Sequence, residues 1–138
     1  MTMKKSLLVV FLALLTVAFM NNSYAQTKPI LYFCEKYDSD RGEVGQSSTF
    51  STGKLTVMVK WGEPLNLTNC SIQLDKYSAS TEKFTFYKKI KFDITRDMKY
   101  VYFANSDLSF DERGVYRVYL LDENDETVTA SVIVIRGS

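Results

Sequence analysis

From residue 30 onward the apolar residues of this chain recur at every second position, and no stretch carries the 3.6-residue period of a helix. That regularity confines the chain to a β architecture, because period two is what a strand with one buried face imposes. Seven runs can be read: Ile30–Tyr37, Lys54–Trp61, Ser71–Lys76, Lys83–Ile94, Lys99–Ala104, Val115–Leu121 and Val128–Ile135. In the second, Leu55, Val57, Val59 and Trp61 share a face. In the fourth, Phe84, Phe86, Ile90, Phe92 and Ile94 share one, interrupted only by Lys88. The connections carry turn chemistry: Asp38–Gly42 and the long polar stretch through Gly53, Gly62-Glu63-Pro64, Asn105–Gly114, and the acidic hairpin Asp122–Glu126. Short strands with turn signals every 8–12 residues predict an antiparallel sandwich or barrel.

The first 25 residues are of another kind. Lys4 and Lys5 precede an apolar run from Leu7 to Met20, and Ser23-Tyr24-Ala25 stands ahead of Gln26. This is the pattern of a cleaved secretory signal peptide, with an Ala-Gln junction of bacterial type. The run is short for a membrane span of ~20 residues, and its C-terminal flank carries no stop-transfer charge. The expected organisation is a signal peptide over 1–25 and a single β-sandwich domain over 26–138, exported to the periplasm or the cell exterior, with no membrane span in the mature chain. Cleavage leaves 15 basic against 16 acidic residues, a net charge of −1. That balance argues against nucleic acid or an anionic membrane as partner.

Two cysteines, Cys34 and Cys70, fall in the exported part. The default for such a pair outside the cytoplasm is one disulfide, stabilising by roughly 3–4 kcal/mol in the chain-entropy model. The plainer alternative is two free buried thiols. A lipoprotein site at Cys34 fails, since Tyr32 and Phe33 stand where small residues are needed.

Glu112-Arg113-Gly114-Val115-Tyr116-Arg117-Val118 resembles the start of the sixth strand in immunoglobulin-like domains. There an acidic residue, a small residue and a Tyr recur at alternate positions before a Cys. The resemblance implies an antiparallel seven-stranded immunoglobulin-like or fibronectin type III-like sandwich, with Tyr116 as its tyrosine corner. Glu112 replaces the usual Asp, and Val118 replaces the second family cysteine. The region also resembles, more weakly, the sandwich sorting domains that end some exported bacterial proteins, without their early Asn-Pro signature. Neither likeness implies a function.

The chain has no histidine, which removes Ser-His-Asp and Cys-His nucleophiles and His-ligated zinc. Two cysteines cannot build a structural zinc site, and no Gly-rich phosphate loop is present, so no cofactor is expected. Carboxylate pairs remain chemically open. The acidic residues cluster in turns, however, where solvation explains them, and the chain does not read as an enzyme. Asp122, Asn124 and Glu126 alternate like the first ligands of a calcium loop, but Thr127 stands where that loop needs Gly. No metal site is expected there, and Arg96 and Lys99 are the cations expected to offset the turn.

What remains is surface. Tyr87 and Tyr119 fall opposite apolar faces, and Tyr87 lies near Lys89 and Lys91. With Trp61 at the end of its strand, these five residues form the candidate binding surface. Tyrosine is an amphipathic anchor of low entropy cost for protein or glycan. Trp61 reads first as a core anchor, with a carbohydrate platform at the end of its strand as the alternative. The sequence therefore supports a non-enzymatic interaction module whose partner is a protein or another cell-envelope component. The alternatives are a carbohydrate-binding module built on exposed aromatics and, last, a carboxylate-based enzyme. A coplanar row of exposed rings would favour glycan; scattered rings favour protein.

Overall fold

The structure, a computed structural model, describes residues 28–137. The expected leader and its cleavage site lie outside the described residues. Among those residues no helix is long and apolar enough to cross a membrane. The strands are β1 (Ile30–Cys34), β2 (Lys36–Asp38), β3 (Gly42–Val44), β4 (Thr49–Ser51), β5 (Gly53–Lys54), β6 (Thr56–Lys60), β7 (Asn69–Ser78), β8 (Lys83–Asp93), β9 (Tyr100–Phe103), β10 (Ser109–Phe110), β11 (Gly114–Leu121) and β12 (Thr127–Arg136).

Two sheets make the sandwich. One has the order β1-β6-β9, the other β4-β12-β11-β7-β8, and two small pairings, β2-β3 and β5-β10, attach to them. The pairs are antiparallel except β4 on β12, which is parallel. The core lies between the sheets. Phe33, Val57, Val59 and Phe103 come from the first, and Ile72, Leu74, Val118, Leu120 and Ile133 from the second. Phe92 meets Phe103 edge-on across the gap, with ring centroids 5.1 Å apart. Each such side chain contributes roughly 1.5–3 kcal/mol by leaving water.

All seven expected runs correspond to strands, with three differences. The first run breaks at Glu35, and the stretch expected to be one long loop holds β3, β4 and β5. There the chain turns through Ser39-Asp40-Arg41: the Asp38 carboxylate accepts the amides of Asp40 and Arg41 at 2.8 and 3.2 Å. Gly42, at φ 76°, closes the turn in the left-handed region that glycine enters without strain. The hairpin lies across the outer side of the three-stranded sheet. Tyr37 stacks on Tyr102 (4.5 Å, 11°), and the hydroxyls of Tyr32 and Tyr100 both donate to the Glu43 carboxylate. Cys34, Thr56 and Met58 point to that outer side by alternation, yet are nearly or fully buried, because the hairpin covers them.

The third difference concerns β8. Its pairing with β7 shifts between Leu74 and Asp75, so that Lys88 opposes Leu74, Phe86 opposes Asp75, and Tyr87 is the extra residue of a β-bulge. The bulge reverses the alternation. Phe84 and Phe86, expected on the core face, lie on the outer face, and Tyr87, expected outside, turns inward against Tyr116 (5.2 Å, 84°). Lys88 keeps the inward register but carries its ammonium to the rim. There Nζ donates to Ser109 O (2.9 Å), Ser109 Oγ (3.0 Å), Asp107 O (3.3 Å) and Asp111 Oδ2 (3.1 Å). The charge stays solvated by protein oxygens while its stem covers apolar surface.

Candidate functional site

The outer face of the five-stranded sheet is built by alternation along β7, β8, β11 and β12. Core positions on β12 are Ile133 and Ile135, which leaves Val132 and Val134 outside. The registers align Phe86, Asp75, Arg117 and Val132 in one row across the strands, and Lys89, Gln73, Tyr119 and Ala130 in the next. Beyond the first row, Tyr77 faces Phe84 with centroids 5.4 Å apart, and the Arg117 guanidinium covers the Phe84 ring at 4.3 Å. Gln73 donates to the Asp75 carboxylate at 3.0 Å. Phe86 is 65% exposed, with Val132 at 43%, Tyr77 at 40% and Val134 at 39%.

Of the five residues singled out in the sequence, Lys89, Lys91 and Tyr119 share this face, with Lys89 and Tyr119 flanking Gln73. Trp61 and Tyr87 do not. Trp61 is half-buried at the end of β6, in the other sheet, packed against the core. The bulge takes Tyr87 inward. The strongest contributors, Phe86, Val132 and Tyr77, went unread. Val132 and Val134 carried a usable signal, since they alternate with the more apolar Ile133 and Ile135. Phe86 did not, because period two without the bulge places it inside.

The expected Cys34–Cys70 bridge is absent: both thiols are free and buried. Cys34 lies on the hairpin side of the three-stranded sheet, 3.4 Å from the Lys36 carbonyl oxygen, whereas Cys70 sits in the core between the sheets, 3.6 Å from that of Phe92. The sheet itself separates them. Burial raises the pKa of both, that of Cys70 to about 11, so neither is a ready nucleophile.

Tyr116 is fully buried, and its hydroxyl donates to the Glu112 carbonyl oxygen at 2.5 Å. This is tyrosine-corner geometry. Gly114, just before it, has φ 153°, and a Cβ there would meet the Lys76 side chain at 2.9 Å. Burial is the main reason the Tyr116 hydroxyl resists ionisation.

The acidic turn is occupied by its own backbone. Asp122 Oδ1 accepts the amides of Asn124 and Glu126, both at 2.9 Å, and Asp125 holds a left-handed φ of 61°. The cation that offsets it is Lys89, 2.6 Å from Asp125, not Arg96 or Lys99. Among the described residues no three acidic or cysteine side chains converge as a metal site. An open groove beside the turn mixes Lys89 and Lys91 with Asp93, Glu123 and Asp125.

No protein-family model matches the sequence, and no curated protein matches it. A crystal structure of an immunoglobulin-like protein from Pseudomonas aeruginosa aligns at 11% identity and a TM-score of 0.47, over 82% of this chain and 100% of that one. The chain has an immunoglobulin-like β-sandwich fold. The sheet order and the Tyr116 corner place it there.

Proposed function

We propose that this immunoglobulin-like sandwich is an exported, non-enzymatic interaction module. Its working form is residues 26–138, and it acts in the periplasm or at the cell exterior on a protein partner. The carrying observation is the set of exposed apolar and aromatic side chains on the outer face of the five-stranded sheet, led by Phe86 and Val132, with Asp75 and Arg117 between them and Lys89 and Lys91 further along β8. Exposed aromatic and apolar side chains set on either side of an arginine suit a protein contact, where aromatic residues and Arg are enriched. A glycan platform needs coplanar open rings. Here Tyr77 meets Phe84 at 61°, Arg117 covers Phe84, and Tyr37 covers one face of Tyr102.

The test is a photo-crosslinking residue at position 86, and separately at position 102, in the protein expressed in its own cells. A discrete protein adduct from position 86 that disappears with Val132→Glu is expected, with none from position 102. Retention on envelope glycan that depends on Tyr100 and Tyr102, with no adduct from position 86, would transfer the function to the other sheet and to carbohydrate.

A further inference from the structure

A sheet edge is a row of unpaired amide groups, and proteins normally blunt it with lysine, proline, bulges or short strands. The two edges of the five-stranded sheet are treated differently. β8 carries Lys83, Lys88, Lys89 and Lys91 and a bulge. β12 is covered by β4 only at Val134, Ile135 and Arg136. The bonds there fix the orientation of the strand. Val134 N donates to Ser48 O (2.9 Å), and Arg136 O accepts from Thr52 N (3.2 Å). Even-numbered residues of β12 thus aim their main-chain groups away from β11, as ladder alternation requires. Past the end of β4, Ala130 and Val132 aim theirs outward, with no main-chain partner on that side among the described residues. Thr129 Oγ1 donates to Pro29 O at 2.7 Å, but from the core side of the strand.

The open segment, Thr127–Ile133, reads Thr-Val-Thr-Ala-Ser-Val-Ile. It has no charge, no proline and no glycine, and it is rich in β-branched residues that favour extended pairing. We propose that this edge pairs antiparallel with the same segment of a second copy, about a two-fold axis near Ala130. Charge selects that occupant. Two-fold pairing sets a strand against itself, so a lysine-bearing edge such as β8 opposes its own mate, whereas Thr127–Ile133 brings no like charges together. β4 shows that a strand can add along this edge, and it stops where the uncharged segment begins. The pairing supplies roughly four to six main-chain hydrogen bonds. It joins the two five-stranded sheets into one, with both outer clusters on a continuous face.

Sedimentation velocity and amide hydrogen exchange on the protein, as its host processes it, test this from micromolar to millimolar concentration. A monomer–dimer equilibrium is expected, with protection of the Ala130 and Val132 amides rising with concentration and that of β8 unchanged. Ala130→Lys and Ala130→Asp each set like charges across the axis and weaken self-association several-fold or more. An equimolar mixture of the two restores it. Val132→Pro removes an outward amide without touching the β11 ladder and also abolishes the dimer. Phe86→Glu leaves the dimer intact, which separates this inference from the proposed partner surface. A dimer that persists in Ala130→Lys, a mixture that stays monomeric, or edge amides that never become protected would overturn it. Edge amides protected equally at every concentration would overturn it too, by showing the chain's own leading residues on the edge. If a variant fails to fold by circular dichroism, the concentration dependence of exchange in the unaltered protein decides alone.

Discussion

Removing one oxygen atom tests the tyrosine corner. In Tyr116→Phe the ring keeps its edge-on contacts with Phe110 (5.0 Å) and Tyr87 (5.2 Å), so core packing is preserved. What is lost is the 2.5 Å hydrogen bond to the Glu112 carbonyl. Losing a buried hydrogen bond costs about 1–3 kcal/mol when the remaining partner is stranded. Glu112 is an exposed residue, so water can reach the freed oxygen and the low end applies, about 1–1.5 kcal/mol. In a urea titration that lowers the midpoint by roughly 1 M at unchanged slope. On heating it lowers Tm by about 4–6 °C for a domain of this size. Tyr116→Leu supplies the scale. It removes the same bond, two aromatic edge contacts worth about 0.5–1.5 kcal/mol each, and leaves a cavity, for a total of about 3 kcal/mol or more. An unchanged midpoint in Tyr116→Phe refutes the reasoning. So does a Phe variant as unstable as the Leu variant, since packing rather than the hydrogen bond would then carry the corner.

Three further outcomes are expected. Cys34 and Cys70 should both react far more slowly with an aromatic disulfide reagent in the native protein than in guanidinium, and non-reduced mass spectrometry should show two free thiols; a linked Cys34–Cys70 peptide would contradict the fold as described. Millimolar calcium should leave Tm unchanged, because the Asp122 carboxylate is already filled by two amides; a rise of several degrees that chelator and Asp122→Asn both remove would show a real site. Stability should fall on the alkaline side: burial, then the bonds to Glu43, push Tyr100 up to about 12 and Tyr32 further, while unfolded tyrosines ionise near 10. The raised groups therefore contribute fully below about pH 10 and lose that contribution as pH climbs through 12. Urea midpoints that match at pH 9 and pH 11.5 would show that the hairpin bonds contribute nothing.

The long strands were legible in the sequence because each buries one face over enough residues to show period two. The elements β3, β4 and β10 are two or three residues long, too short for any period to register. β4 forms on the edge of β12, whereas β3 and β10 pair only with the equally short β2 and β5. One extra residue reverses the expected faces of β8 from Phe84 to Tyr87, and Lys88 was the clue. A lysine in an apolar row fits if its stem lies along the sandwich rim, and a bulge beside it brings Tyr87 in to cover Tyr116. The cysteine pairing was also decidable in part. Leu31 and Phe33 share the core-facing parity of β1, which sends Cys34 to the other side. Composition and export favoured a bridge, but geometry decides which face a thiol occupies, and it places a sheet between these two.

That separation gives the molecule two internal clocks. Cys34 is sealed only by the β2–β3 hairpin, held by Glu43 and by the Tyr37–Tyr102 stack, whereas reaching Cys70 requires the sandwich to part. Thiol labelling at Cys34 thus times a local opening that leaves both sheets intact, and labelling at Cys70 times global unfolding. The ratio of the two rates measures how independently the hairpin breathes. Loosening its hold, as in Glu43→Gln, should quicken the first clock and leave the second running at its former pace.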